Sequence, residues 1–266
     1  YRDEDSRKDR QPEFTQLDLE FSDANPELVK SKVEEIIKFV FSDAYDCKIK
    51  TPFNTLTYEE AINLYGTDKP DLRIEETIFD ITDIFTETSI NFLKDILSSQ
   101  GTIKALHTKE LLTRKQIDDL DTEIKELGSN GLGWFKIEDT TISGPLAKLL
   151  NDNEKSKLLS YGSGTLLFQA GIIKEIANYL DVIRRTVFQP LNKDVYSFVW
   201  IEDFPFFEVE DGELQPSHHP FTSPKSNEIF KDDPTNATAL HYDLVLNGVE
   251  LGSGSQRINN PEIQTL

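Results

Sequence analysis

The chain has 266 residues, 37% of them apolar and 10% aromatic, enough for a packed core and too many for a disordered chain. Its formal net charge of −20 excludes the broad basic surface that nonspecific nucleic-acid binding requires, so any RNA contact must be local. The single cysteine, Cys47, excludes an internal disulfide and a cysteine-built zinc site, and no apolar run is long enough to span a bilayer, which points to a soluble chain.

The chain opens at Tyr1 without a targeting segment and contains no methionine, which points to a partial sequence. Tyr1–Glu20 holds eleven charged residues of both signs. Two strands are predicted there, one through about Glu4 and one from Phe14 to Glu20, with a charged loop between. Alternation puts Arg2 and Glu4 on one face, groups Phe14, Gln16, Asp18 and Glu20, and turns Leu17 and Leu19 toward the core. Such a polar sheet face is either solvated or the floor of a binding site, and the pattern alone leaves both open. Arg2, Arg7, Lys8 and Arg10 are the densest basic cluster.

Asn25 is a plausible cap and Pro26 a first-turn residue for a helix to about Phe41, burying Leu28, Val33, Ile36, Ile37 and Val40. Thr57 can cap "YEEAINLYG", which Gly66 stops, and "TDKPDLR" reads as a boundary loop. From about Glu75 to Pro190, short apolar strands ("TIFDI", "GTIKAL", "GWFKIE", "GTLLFQAG") alternate with helical stretches over 112–127 and 172–187. That is an α+β module with its own core. His107 within it reads as a surface or packed histidine.

"YSFVWIEDFPFFEV" is strongly β, and Pro220 and Pro224 pin the loop "SHHPFTSP". In "HYDLVLNGVELGSGSQRI", Asn247-Gly248 between apolar runs signals a type I′ hairpin. A two-residue turn pairs Glu250 with Val245, and Asp243 lies two residues from Val245 on the same face. The two carboxylates are then diagonal neighbours, roughly 7–8 Å apart at the backbone. They suit either a magnesium ion shared with phosphates or a solvated strand face.

Together these segments resemble the class II aminoacyl-tRNA synthetases in their aspartate-specific, bacterial and mitochondrial form. "YRDEDSRKDRQPEFTQLDLE" is similar to motif 2, down to the RQPEFTQ run, and "TYEEAINLYGTDKPDLR", "HHPFTSPK" and "YDLVLNGVELGSGSQRI" resemble later blocks in the same order. The resemblance implies an α+β fold: an antiparallel-sheet catalytic domain (1–74 and 191–266) interrupted by an α+β insertion domain (75–190). It implies activation of L-aspartate with ATP and transfer to tRNA(Asp), in a homodimer, with Mg2+ as cofactor. A non-catalytic synthetase-like binding or regulatory protein is the alternative.

Carried residue by residue, the resemblance makes Arg2 the group that holds both the α-phosphate and the amino-acid carboxylate. Asp3, Glu4 and Gln11 are further ATP contacts, and Arg7 and Arg10 belong to the loop that meets the tRNA. Gln16, Asp18, His218, His219 and Arg257 line the aspartate pocket, with Arg257 pairing the substrate side chain. Asp243 and Glu250 hold the magnesium, and Glu250 also meets ATP and is catalytic with Arg2. Ser253 stands where the family usually has glycine. The chain runs from motif 2 to just before motif 3, and "YRDEDSR" and "HYDLVLNG" look more like mitochondrial members than bacterial ones.

Overall fold

This computed structural model describes residues 13–190, 192, 194–210 and 212–265. In chain order the first elements are α1 (Pro26–Tyr45), β1 (Asn54–Thr57), α2 (Tyr58–Tyr65), β2 (Phe79–Asp80), α3 (Asn91–Ser98), β3 (Thr102–Thr108) and α4 (Arg114–Glu126). Then come β4 (Gly133–Glu138), β5 (Thr141–Ser143), α5 (Asp152–Leu159), β6 (Gly164–Gly171), α6 (Ile173–Val187) and β7 (Phe198–Glu202). The last are β8 (Phe207–Glu210), β9 (Glu213–Pro216), α7 (Asn227–Asp232), β10 (His241–Leu246), β11 (Val249–Ser255) and α8 (Pro261–Gln264). By compactness the described chain forms two units, residues 13–57 with 196–265 and residues 58–195. No helix is long and apolar enough to cross a membrane.

The second unit is built on a five-stranded antiparallel sheet in the order β2-β3-β6-β4-β5. β6 lies between two partners and is buried along most of its length, so it reads as a continuous apolar run rather than an alternating one. One apolar cluster gathers Leu106, Ile117, Ile124 and Leu167 with Leu180 and Ile183 of α6. Another gathers Phe85, Leu93, Ile103, Phe135, Leu158 and Phe168. At about 1.5–3 kcal/mol per fully buried side chain, these clusters supply the unit's main driving force. "TIFDI" contributes only a two-residue strand.

The expected segment 75–190 lies within this unit, which also takes in α2 and the loop after it. The reason is Arg184, fully buried on α6. Its Nε donates to the Glu76 carbonyl at 2.6 Å, and one terminal nitrogen donates to the carbonyls of Asp71 (3.0 Å) and Ile74 (2.7 Å). The guanidinium also lies 4.9 Å from the centre of the Tyr65 ring. A buried guanidinium must find acceptors, and here it draws the "TDKPDLR" loop onto the helix.

The first unit carries a four-stranded sheet, β1-β7-β10-β11, antiparallel except that the edge strand β1 runs parallel to β7. Asn25 caps α1 as expected, its side chain accepting from Leu28 N at 2.9 Å. The buried stripe of α1 keeps the predicted Val33 and Ile37 and differs elsewhere. Lys30, Glu34, Ile37 and Phe41 turn inward, while Leu28 and Val40 are exposed. Glu34 takes a core position because its Oε1 accepts from Trp200 Nε1 (2.9 Å) and Phe53 N (3.1 Å). Lys30 is paired with Glu202. Cys47 packs against the edge of the same core.

The strand expected over Phe14–Glu20 is not formed. Residues 14–20 are irregular, and Leu17 is 69% exposed instead of facing a core. Alternating polarity yields a strand only where a neighbour accepts and donates backbone hydrogen bonds, and among the described residues none pairs with this segment. The strand expected through Glu4 lies outside the described residues.

Candidate active site

The hairpin β10–β11 organises the site. Asn247 and Gly248 both have positive φ, 52° and 85°, the geometry of the predicted type I′ turn, and Val245 pairs with Glu250 as expected. The pattern did not foretell a bulge. Leu244 pairs with Gly252 and Val245 with Glu250, so Leu251 has no opposite number. The extra residue matters because Asp243 pairs with Ser253. In an unbroken ladder from the same turn Asp243 would face Gly252 instead. Both carboxylates share a face because Glu250 pairs with Val245, two residues from Asp243 on the same strand.

Ser253 sits in this ladder with ordinary extended backbone, so a side chain is accommodated opposite Asp243. At Gly254 a Cβ would come within 2.6 Å of the Tyr242 ring. Glycine is needed there for β11 to close on β10.

Asp243 is buried and Glu250 exposed. Asp243 Oδ1 lies 3.0 Å from His241 Nε2, two residues earlier on the same strand face. The His241 ring stacks on His218, with centroids 4.1 Å apart and planes at 24°. Phe204 presents its ring edgewise to both histidines. His218 Nε2 lies 3.1 Å from the Pro205 carbonyl. Burial first, and then the neighbouring His241, push the His218 imidazole down from 6.5 to about 4, against the opposing pull of Pro205 and Asp243. His218 is therefore neutral near pH 7. A carbonyl can only accept, so Nε2 carries the hydrogen and Nδ1 is left as an acceptor.

In the loop that carries His218, the buried hydroxyls of Ser217 and Thr222 have no hydrogen-bond partner among the described residues. The segment Gln256–Ile258 runs beside the histidine loop: Ser223 N donates to Gln256 O and Ile258 N to Phe221 O, both at 2.8 Å. Arg257 forms a backbone bridge to Thr222, and its side chain is exposed. His219 diverges from His218; it is exposed and accepts from Phe221 N at 3.3 Å.

The structure thus places Asp243 and Glu250 on one face of the β10–β11 hairpin, stacks His218 from its loop on His241 of β10, and pairs the backbone of Arg257 with that loop. Gln16 and Asp18 lie in the irregular, exposed segment. Arg2, Asp3, Glu4, Arg7, Arg10 and Gln11 lie outside the described residues. His241 and Phe204 went unassigned at the sequence level. A signal for His241 existed, since His-x-Asp on a strand places both side chains on one face.

The family described as class II tRNA synthetases (D, K and N) matches the chain over residues 1–266. The aspartate–tRNA(Asp/Asn) ligase of Hydrogenobaculum sp. is 38% identical over 289 residues, covering all of this chain and 49% of the relative. That of Dictyoglomus turgidum is 41% identical over 276 residues, 99% of this chain and 47% of its own length. The aspartate–tRNA ligase of Mycoplasma mycoides subsp. mycoides is 42% identical over 276 residues, with the same coverage of 99% and 47%. The chain spans about half the length of these relatives.

Proposed function

Since the chain belongs to the class II tRNA synthetases of the D, K and N group, we propose that it carries the aspartate-activating core of an aspartate–tRNA ligase. Its substrates are ATP, L-aspartate and tRNA(Asp), and it works as a homodimer. The relatives' names support aspartate as the amino acid, and their organisms support the bacterial type of enzyme; they give no support to a mitochondrial placement. The observation that carries the reading is the pairing of Val245 with Glu250 across the hairpin, which puts the Asp243 and Glu250 carboxylates on one face.

In this reading the α-carboxylate of aspartate attacks the α-phosphate of ATP and pyrophosphate leaves. The 3′-terminal ribose hydroxyl of the tRNA then attacks the mixed anhydride and releases AMP. No covalent enzyme intermediate is needed, so catalysis rests on positioning and on stabilising charge at the phosphate. Arg2 spans phosphate and carboxylate with its planar fork, which a lysine could not do. Asp3, Glu4 and Gln11 hold the remainder of ATP, and Arg7 and Arg10 meet the tRNA. Gln16 and Asp18 receive the aspartate ammonium, the acceptor nitrogen of His218 and the ring of His219 line the pocket, and Arg257 pairs with the substrate side chain.

Asp243 and Glu250 fit a magnesium ion in donor chemistry. Both offer oxygen ligands, and phosphate oxygens would supply the rest of the shell that magnesium takes. Magnesium held there would offset the charge of the phosphates.

Aspartate-dependent pyrophosphate–ATP exchange in the full-length protein tests the proposal. Exchange with aspartate and not asparagine is expected, and Arg2→Ala should lower it by about 2.7–4 kcal/mol, or a hundredfold and upward. Exchange by Arg2→Ala within threefold of wild type would refute the assignment.

A further inference from the structure

We infer that His241 is a positioning residue: its Nε2–H fixes the Asp243 carboxylate so that the other oxygen, Oδ2, is presented to the cation. The inference rests on the reading of Asp243 as a metal ligand proposed above. Three observations carry it. The Nε2–Oδ1 separation of 3.0 Å joins two residues on the same face of one strand, so the bond forms without bending the backbone. Asp243 is buried, so an oxygen lacking a protein donor there would be costly, and the bond singles out Oδ1 for that donor.

The imidazole is itself immobilised. It is stacked 4.1 Å from His218, and the Phe204 ring meets it edge-on at 5.1 Å. His218 in turn is tied to the Pro205 carbonyl at 3.1 Å. The result is a continuous relay, Pro205 carbonyl to His218 to His241 to Asp243. It links the loop that faces the amino acid to the carboxylate that faces the phosphates. A ligand held by such a partner keeps one rotamer before the cation arrives, and losing the partner costs metal affinity.

Two substitutions separate the donor from the ring. His241→Phe keeps the stack on His218 and removes the donor, whereas His241→Gln keeps a donor and removes the ring. Mn2+ serves as the probe, its binding to the full-length protein followed by electron paramagnetic resonance with a non-hydrolysable ATP analogue present. His241→Phe should weaken Mn2+ about tenfold, and His241→Gln should stay within threefold of wild type. Asp243→Asn is the reference. If it weakens Mn2+ while His241→Phe does not, the positioning role is overturned and the ligand role of Asp243 stands. If His241→Gln is as weak as His241→Phe, the donor is not what matters and the inference fails. If Asp243→Asn binds Mn2+ normally, both readings fall.

Discussion

The two units hold their buried polar groups differently. In residues 58–195 two clusters of Ile, Leu and Phe enclose polar side chains tied to backbone of the same unit: Thr165 to Leu112 N and Glu110 O, Glu154 to Asn151 N, and Arg184 to three carbonyls. In residues 13–57 and 196–265 the apolar core is smaller, and buried places go to Glu34, Asp243 and Thr222. Large apolar side chains such as Phe14, Phe39 and Tyr45 stay exposed. The larger core specifies its unit by apolar pattern. The smaller one buries carboxylates held by other side chains, Glu34 by Trp200 and Asp243 by His241.

The comparison can be broken most severely at Arg184. A fragment of residues 58–195 should unfold cooperatively on its own, whereas 75–190 removes Tyr65 and the carbonyls of Asp71 and Ile74 that receive the guanidinium. Stranding a buried charge costs about 3–5 kcal/mol. Equal denaturant midpoints for the two fragments would show that the loop is not part of the unit.

In the other unit, Arg257→Leu should raise the aspartate KM by 30-fold and upward, the worth of roughly 2–5 kcal/mol for a charge pair that bound substrate takes out of water, and leave the ATP KM nearly unchanged. If both constants rise together, Arg257 does not read the side chain. Asp243→Asn and Glu250→Gln should each raise the magnesium concentration that supports exchange, by about tenfold, or about 1.4 kcal/mol. Unchanged dependence in both variants would return the pair to a solvated strand face.

The smallest effect concerns pH. His218 titrates lower in the folded state (about 4) than in the unfolded chain, where its ordinary value is 6.5. Between these values the unfolded chain binds more protons, so stability is fully present above pH 6.5 and is lost as pH falls toward 4. The denaturation midpoint of the wild type should therefore fall between pH 7 and pH 5 by more than that of His218→Gln. Parallel losses would mean that the imidazole is not held neutral by the fold.

Legibility followed the same division. β3, β4, β6, α4 and α6 were all visible as apolar runs and helical periods, because two large apolar clusters impose a regular apolar period along those elements. The hairpin turn was visible because Asn247-Gly248 has a backbone reason to be there. The bulge was not, since nothing distinguishes Leu251 from a paired strand residue. The inward stripe of α1 was misread because periodicity counts apolar residues, and Glu34 is buried by the partners Trp200 and Phe53 that come from distant segments. Phe14–Glu20 alternated like a strand, but among the described residues no segment pairs with it.

Glu34 has one more consequence. The chain has two tryptophans, and they fall one to each unit. Trp200 is buried with its indole N–H given to Glu34, while Trp134 on β4 is half-buried, with Arg114 and Lys136 within 5.5 and 5.8 Å of its ring. The two indoles therefore report from unlike surroundings, one dry and hydrogen-bonded, the other partly wet and flanked by cations. Trp134→Phe leaves an emission band that belongs to residues 13–57 and 196–265 alone, and Trp200→Phe one that belongs to residues 58–195. The protein carries its own pair of optical labels for telling which half lets go first.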